Sequence, residues 1–535
     1  MAPSRLAVGV RRPATLTELL RASAGPVGID LEAASGRAGR LDEALAAGRA
    51  VYGYSTGFGA LASHAAHDDD RQHQLALVHH LATGTGDPLP PRAARALVFD
   101  RLVTLSRGHS AASDDLLRAL AVVLATDGAP AIPRYGSVGA SGDLTPLAHL
   151  AMALAGDGTW LNPDGSPADP RPDGLQRYEF SRRDALALVN GTSASNALAS
   201  LAFWDLAMLI PIAFESMALM VRSMGLAEEA MAEPIHRLRG QPGQVAVADV
   251  LRERLAQAPV ARDDGTGAGG HHASHERSIQ AAYSFRCIPQ ILGPTVEAVR
   301  AVAATLEREL NAVTDNPVFD EPGTVYHGGN FHGQYVAEAS DRLAFAAATT
   351  AGLMERQIAR VTDPLLNHGL PPFLTGAAAG GHSGFMGLQV SATALTAEIS
   401  ASAQRRYALE SRSTNGANQD VVSMSTLAAL ALYETIPRLR ELTAMHAIVA
   451  VQAAELAGLV GEDAPLQKAV RTVSPALNGD RPLSAEIRDV ADDLAGLTGA
   501  QKSPRHRDQC HAYRGLVGAS WNALFPDRPF PDLSS

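Results

Sequence analysis

Two cysteines, Cys287 and Cys510, stand among 535 residues. They cannot build a disulfide framework, and such scarcity suits a reducing compartment. Aromatic residues make up only 5%, and strong apolar–polar alternation is rare, which excludes an extensive half-buried sheet. Lys and Arg number 45 against 56 Asp and Glu, a formal net charge of −11. With no Lys/Arg run, that balance argues against nucleic-acid binding but leaves room for a local basic pocket for an acidic small molecule. The N-terminus, MAPSRLAVGVRRPATL, lacks an apolar core of signal-peptide length. The most apolar stretch, Ala197 to Met220, is interrupted by Asp205, Pro211 and Glu215. Two acids in hydrocarbon are costly, so the stretch reads as a buried helix and not a membrane span. The expectation is a cytoplasmic protein with neither nucleic acid nor membrane as partner.

What is present is a large apolar inventory: 46% hydrophobic against 19% charged residues, enough for a sizeable core. The length allows two to four domains or one large shared core. Residues 1–190 are broken by turns such as YGYSTGFG, TGTGDPLPP and DGAPAIPRYGS, with short helical patterns between them, for example Asp114 to Thr126. The Asp/Gly/Pro-rich 157–174 region reads as a surface loop. Over 191–470 the helical patterns become long and Ala/Leu-rich: Leu292 to Asn311, Tyr335 to Val361, and Val421 to about Leu459 with one interruption at Pro437. The last of these is about 55 Å long at the helical rise, and such helices must bury their faces on one another. Residues 471–535 read as short helices and a Pro-rich tail. The predicted fold is mostly α, a long-helix bundle behind an N-terminal domain of short helices and loops. So many Ala-rich faces predict that the bundle continues into neighbouring subunits of a symmetric homo-oligomer.

Two tempting motifs lead nowhere. His271, His272 and His275 in GTGAGGHHASH offer an i, i+4 pair, but glycines precede them and no carboxylate completes a metal site; we expect no metal. Gly53, Gly57 and Gly59 lack the Lys-Ser/Thr of a phosphate loop.

The stretch GASGDLTP, 139–146, carries chemistry of a different kind. If the turn is squeezed, the Gly142 amide nitrogen can attack the Ala140 carbonyl carbon, since glycine tolerates strained dihedrals and alanine leaves that carbon uncrowded. Loss of water closes a five-membered ring. Loss of the Ser141 hydroxyl then leaves an exocyclic methylene. The product is an electrophile, which ordinary side chains rarely supply and enzymes usually import. A lone Ala-Ser-Gly is common and usually only a turn before a helix, so the rest of the chain must decide.

Nine blocks decide it: VYGYSTGFGALA at 51–62, LVHHLATGTG at 77–86, GSVGASGDLTPLAH at 136–149, ALALVNGTSA at 185–194, AYSFRCIPQILG at 282–293, ELNAVTDNPVF at 309–319, HGGNFHGQ at 327–334, ERQIARVTDPLLNHGLPPFL at 355–374 and STNGANQDVVSM at 413–424. In this order they resemble the histidine/phenylalanine/tyrosine ammonia-lyase family, whose members carry the 4-methylidene-imidazol-5-one (MIO) group. The resemblance spans roughly 45–430. It implies a mostly helical fold and a homotetramer whose active sites combine residues of more than one subunit. It also implies removal of ammonia from an aromatic amino acid to leave a trans-α,β-unsaturated acid.

By motif position, Ala140, Ser141 and Gly142 form the MIO ring. Tyr52 falls on the family's catalytic tyrosine, which takes the β-proton and needs hydrogen-bond donors or a positive field to favour its phenolate. Gly57 and Gly59 let that loop lie close over the substrate. Arg286 falls where the family holds the substrate carboxylate, work that suits a guanidinium fork. Tyr283 lies three residues before it, and Gln280 adds a polar contact. Asn190 and Asn330 map near the MIO and the carboxylate, where fixed dipoles stabilise developing charge. Phe331 walls the ring pocket, and Asn415 and Gln419 map near the amine and the MIO.

The pair at the ring end of the pocket is His80-Leu81, which resembles the tyrosine-type enzymes of the family. A histidine can pair with a tyrosine hydroxyl that, buried alone, costs about 1–3 kcal/mol. Asp420 after Asn418-Gln419 weakens the histidine-type reading, in which Glu is usual. The leading expectation is L-tyrosine to trans-p-coumarate. Phenylalanine or histidine as substrate, a tyrosine aminomutase that re-adds the amine at the β-carbon, and a non-catalytic helical scaffold are the alternatives. One stretch departs from the family. Arg405, Arg406, Glu410 and Arg412 stand before STNGANQD, where many relatives have small, uncharged residues.

Overall fold

Apolar spacing at the helical period becomes eighteen α-helices among the described residues of this computed structural model. The structure describes residues 5–32, 38–66, 69–168, 171–172, 174–181, 183–226, 228–258, 280–459, 464–499 and 504–531. Among the described residues strand is confined to small sheets of two or three short strands, such as Arg5–Val8 parallel to Gly28–Leu31 and Thr85–Pro88 antiparallel to Pro133–Tyr135. His271, His272 and His275 lie outside the described residues.

The predicted long helices are found at Ile288–Leu310, Gln334–Thr362 and Ser425–Leu456, joined by Met386–Gln404. Ser425–Leu456 starts later than Val421 because Met424 is left-handed, with φ 55°. It runs through Pro437. A proline inside a helix costs about 3 kcal/mol, which the apolar burial of a 32-residue helix offsets.

Ser193–Ser223 is the centre of the bundle and packs along Ser425–Leu456. It is long and apolar enough to cross a membrane, yet its most apolar window is entirely buried inside the protein. A helix apolar on all sides belongs in a core. One hydrophobic cluster runs from Leu6 to Phe525, so the N-terminal, central and C-terminal segments share a core. The C-terminal part departs from expectation, because Pro504–Leu524 is 21 residues long. Trp521 stacks on Trp204 of the central helix, centroids 5.7 Å apart, which ties that helix to the bundle. The 157–174 loop also carries a small antiparallel pair, Trp160–Leu161 with Pro167–Ala168, because Trp160 and Leu161 are buried.

The one acid of the central helix that is fully enclosed, Asp205, is well matched. Arg92 donates to both its oxygens at 3.0 Å, Arg440 donates at 3.1 Å, and Thr498 also donates to it. Burial alone would raise this carboxyl, but Arg92 and Arg440 hold it below the usual carboxylate range.

Four helix ends converge at one point. Leu144–Ala155 begins just after the Ala140–Gly142 tripeptide, Asp184–Val189 ends at Asn190, Ser193–Ser223 begins beyond Thr192, and Ser425–Leu456 begins beyond Met424.

Removing Asp205 leaves two largely buried guanidinium groups without their carboxylate, a change of the kind worth up to about 3–5 kcal/mol. Asp205→Ala is expected to lower the thermal midpoint markedly at neutral pH. The folded pKa is depressed. The carboxylate's contribution is therefore complete above its ordinary pKa of about 4 and fades as pH falls through the lower folded value. The gap in thermal midpoint between wild type and variant should narrow at strongly acidic pH.

Candidate active site

The Ala140–Gly142 tripeptide bends tightly, with a backbone bridge between Ala140 and Gly142 and another from Gly142 to Gly191. Gly142 has φ +70°, and a Cβ there would overlap the Gly191 carbonyl. No other residue type fits that contact. The next amide, Asp143 N–H, donates to the Gly191 carbonyl at 2.7 Å.

Polar side chains from distant parts of the chain fix this turn. Asn190 Nδ2 donates to the Ser141 carbonyl at 2.9 Å, and Gln419 Nε2 donates to Ser141 Oγ at 2.7 Å. Ser423 Oγ donates to the Gly139 carbonyl at 2.9 Å, and Gly139 N–H donates to Ser137 Oγ at 3.0 Å. Asp143 is fully buried and accepts from Ser195 N–H at 2.7 Å, from Ser195 Oγ at 2.9 Å and from Thr426 Oγ1 at 2.5 Å. Burial pushes its carboxyl up, against the pull of these donors. Asn190 Oδ1 is buried without a hydrogen-bond partner.

Ser141 opens into a cavity of about 440 Å³. Of the predicted residues, Tyr52, Gly59, His80, Leu81, Ser141, Asn190, Phe331, Asn415 and Gln419 line it. Tyr52 Oη accepts the Gly59 N–H at 2.6 Å. Phe58 meets Tyr52 edge-on and stacks on His73, centroids 4.6 Å apart, which braces the loop. Opposite, residues 414–419 form a turn closed by Thr414 Oγ1 donating to Gln419 Oε1 at 2.6 Å. Asn415 adopts φ 52° there, a conformation asparagine tolerates. Gly59 abuts Asn415 so closely that a Cβ at Gly59 would overlap Asn415 Nδ2. His80 donates Nδ1–H to the Ala76 carbonyl at 3.2 Å. A carbonyl can only accept, so the neutral ring presents Nε2 as an acceptor.

Gln280, Tyr283, Arg286 and Asn330 do not line this cavity. Tyr283 and Arg286 share the four-residue helix Tyr283–Arg286. The Arg286 guanidinium lies 4.6 Å from the Tyr283 ring centroid, and Tyr283 is 69% exposed. Asn330 Nδ2 donates to the Val313 carbonyl at 3.1 Å. The charged stretch before the turn also stays away from Ser141. Arg412 pairs with Glu410 at 3.2 Å, and the Arg406 guanidinium sits 5.6 Å from the Phe345 ring centroid. Between them Ser411 Oγ accepts the Val422 N–H at 3.0 Å and closes the base of the active-site turn.

Phe58, Asn316 and Asn418 line the cavity without having been singled out, and Ser137, Ser195, Ser423 and Thr426 hold the tripeptide. Apart from Ser195 and Thr426, all fall inside the quoted motifs, so membership of a motif was the available signal.

The aromatic amino acid lyase family matches residues 29–475. The chain belongs to that family. It is 44% identical over 480 residues to the tyrosine ammonia-lyase of Cereibacter sphaeroides, covering 85% of this chain and 90% of that protein. It is 36% identical over 457 residues to the histidine ammonia-lyase of Geobacillus thermodenitrificans, covering 84% and 88%. Its fold matches the crystal structure of tyrosine aminomutase from Streptomyces globisporus with a TM-score of 0.80 at 30% identity, over 95% of this chain and 98% of that one. The aromatic amino acid lyase fold is thus the mostly helical one expected, and the chain is a carbon–nitrogen lyase of the ammonia-lyase/aminomutase group.

The contact between Gly59 and Asn415 is testable. Gly59→Ala is expected to displace Asn415 and to pull the amide donor from Tyr52. We expect kcat to fall about tenfold or more, as misplacement near a reacting centre predicts, with an unchanged far-ultraviolet circular dichroism spectrum. The comparison is steady-state kinetics of variant and wild type.

Proposed function

We propose that the enzyme deaminates L-tyrosine without oxidation, giving trans-p-coumarate and ammonia, on an MIO group formed from Ala140, Ser141 and Gly142. The observation that carries this reading is the meeting of Ser141, Tyr52 and His80 on one cavity. The surroundings of the tripeptide fit the ring. Gly142 is wedged against Gly191 where no Cβ fits, Asn190 donates to the Ser141 carbonyl, and Asn190 Oδ1 remains free. Once formed, the MIO group supplies the electrophile that takes up the substrate amine and makes it a better leaving group.

The remaining steps fall to the chain's own side chains. Tyr52, held by the Gly59 amide, removes the β-proton. Before the ring closes, Asn190 donates to the Ser141 carbonyl at 2.9 Å and Gln419 to Ser141 Oγ at 2.7 Å; once that hydroxyl has left as water, Asn190 keeps residue 141 in register and Gln419 faces the cavity. His80 Nε2 accepts the substrate's phenolic O–H, while Leu81 and Phe331 wall its ring.

The carboxylate receptor comes from a neighbouring subunit. Arg286 and Tyr283, with Gln280 and Asn330, lie away from their own chain's cavity, and Arg286 Nε is buried without a hydrogen-bond partner. Tyr335 and Phe345 on Gln334–Thr362, and Met386 and Val390 on Met386–Gln404, are exposed on the single chain. Apolar faces on two long bundle helices support a homotetramer in which each site borrows this arm.

An aminomutase shares these residues, and the structural likeness to tyrosine aminomutase favours it as the second reading. Separate incubation with L-tyrosine, L-phenylalanine and L-histidine, with all products identified, tests the proposal. p-Coumarate from tyrosine is expected, whereas accumulation of β-tyrosine would assign the mutase. His80→Phe should lower the ratio of kcat/KM for tyrosine over phenylalanine by about tenfold, as loss of one buried partner implies. An unchanged ratio would contradict the assignment of His80.

A further inference from the structure

The short helix Tyr283–Arg286 has little to hold it in place by itself. At four residues it carries only a few backbone bonds of its own, among them Arg286 N–H to the Ala282 carbonyl and Cys287 N–H to the Tyr283 carbonyl. Its Ser284 carbonyl is captured from outside. Gln357, on Gln334–Thr362, donates Nε2–H to it at 2.8 Å. Gln357 Oε1 in turn lies 2.9 Å from Nε2 of His446, on Ser425–Leu456. Gln357 and His446 are both fully buried.

The chemistry of the acceptors fixes every proton in this chain of groups. The Ser284 carbonyl only accepts, so the amide nitrogen of Gln357 must face it. Gln357 Oε1 then faces His446, and an amide oxygen only accepts, so His446 must carry its proton on Nε2. His446 Nδ1 is buried without a partner, which matches the bare nitrogen of that neutral tautomer. Burial pulls the ring down to about 3, so it holds this form at all working pH values. One bundle helix is thereby hydrogen-bonded through Gln357 to the backbone of the segment that presents Arg286, and a second braces that glutamine through His446.

We propose that Gln357 and His446 are positioning residues that fix the Tyr283–Arg286 helix, and so the aim of the Arg286 guanidinium, through the Ser284 carbonyl. The inference rests on the reading of Arg286 as the substrate-carboxylate receptor. Gln357→Met keeps the length of the side chain and deletes both bonds.

The test is a double-mutant cycle on the full-length enzyme with L-tyrosine as substrate and p-coumarate as a carboxylate inhibitor. Gln357→Met should raise KM about fivefold, the scale of one lost positioning hydrogen bond. It should raise the inhibition constant of p-coumarate in parallel and leave kcat within about twofold. Arg286→Ala should raise KM further, and the double variant should be no worse than Arg286→Ala alone, because Gln357 acts through that residue. Multiplied effects in the double variant, or an unchanged KM in Gln357→Met, overturn the inference while leaving Arg286 in its role. An unchanged KM in Arg286→Ala overturns the receptor reading and the inference with it. Should Gln357→Met not fold, His446→Leu removes one donor and leaves the Gln357–Ser284 bond. A KM rise without a kcat loss is again expected, and an unchanged KM overturns the proposal.

Discussion

The contact between Gly142 and Gly191, two backbones with no side chain between them, is the constraint on which the rest of the structure turns. It holds the Ala140–Gly142 tripeptide in a tight turn that larger residues could not enter. Such a conformation persists only where its surroundings over-determine it. Four helix ends and hydrogen bonds from Ser137, Asn190, Ser195, Gln419, Ser423 and Thr426 supply that determination. The large bundle is thus what makes a small, bent tripeptide affordable.

Beneath the turn lies a layer of buried charge that serves geometry. Arg101 is fully buried and donates to the Asn190 carbonyl at 2.8 Å and also to the Ala187 carbonyl, so it sets the end of the Asp184–Val189 helix that carries Asn190. Burial pulls its guanidinium down to about 10. Glu309 accepts from Thr192 at 2.6 Å one residue beyond Gly191, and burial pushes its carboxyl up. Each group holds backbone next to the tripeptide. Fixed dipoles of this kind need no reorganisation while charge develops.

Much of this was legible in the sequence because the chemistry sits in contiguous motifs. Tyr52 and Gly59 share one loop, and the hydrogen bond between them is local. Ser141 declares itself by its neighbours. The bundle helices were legible through their period, and Ser425–Leu456 differs from expectation mainly at Val421–Met424, where the chain turns to hold Gly139. The Asp143 cage was harder to see. Ser195 and Thr426 look like ordinary helix-start residues until the fold brings them to one carboxylate from positions 52 and 283 apart in sequence. Arg286 was identified by motif, but its distance from its own chain's cavity is a property of packing that no local pattern encodes. The Arg405–Arg412 stretch, unexplained as sequence, closes the base of the 414–419 turn by pairing within itself and with Phe345.

The proposed electrophile is a covalent change to the backbone, so its formation is read in mass. The tripeptide Ala140-Ser141-Gly142 should be lighter by two waters than its sequence in the purified protein. Peptide mapping should place the whole loss between residues 140 and 142, and Ser141→Ala should lose the dehydration that makes the methylene. An intact mass equal to that of the unmodified chain would contradict the electrophile and the chemistry built on it.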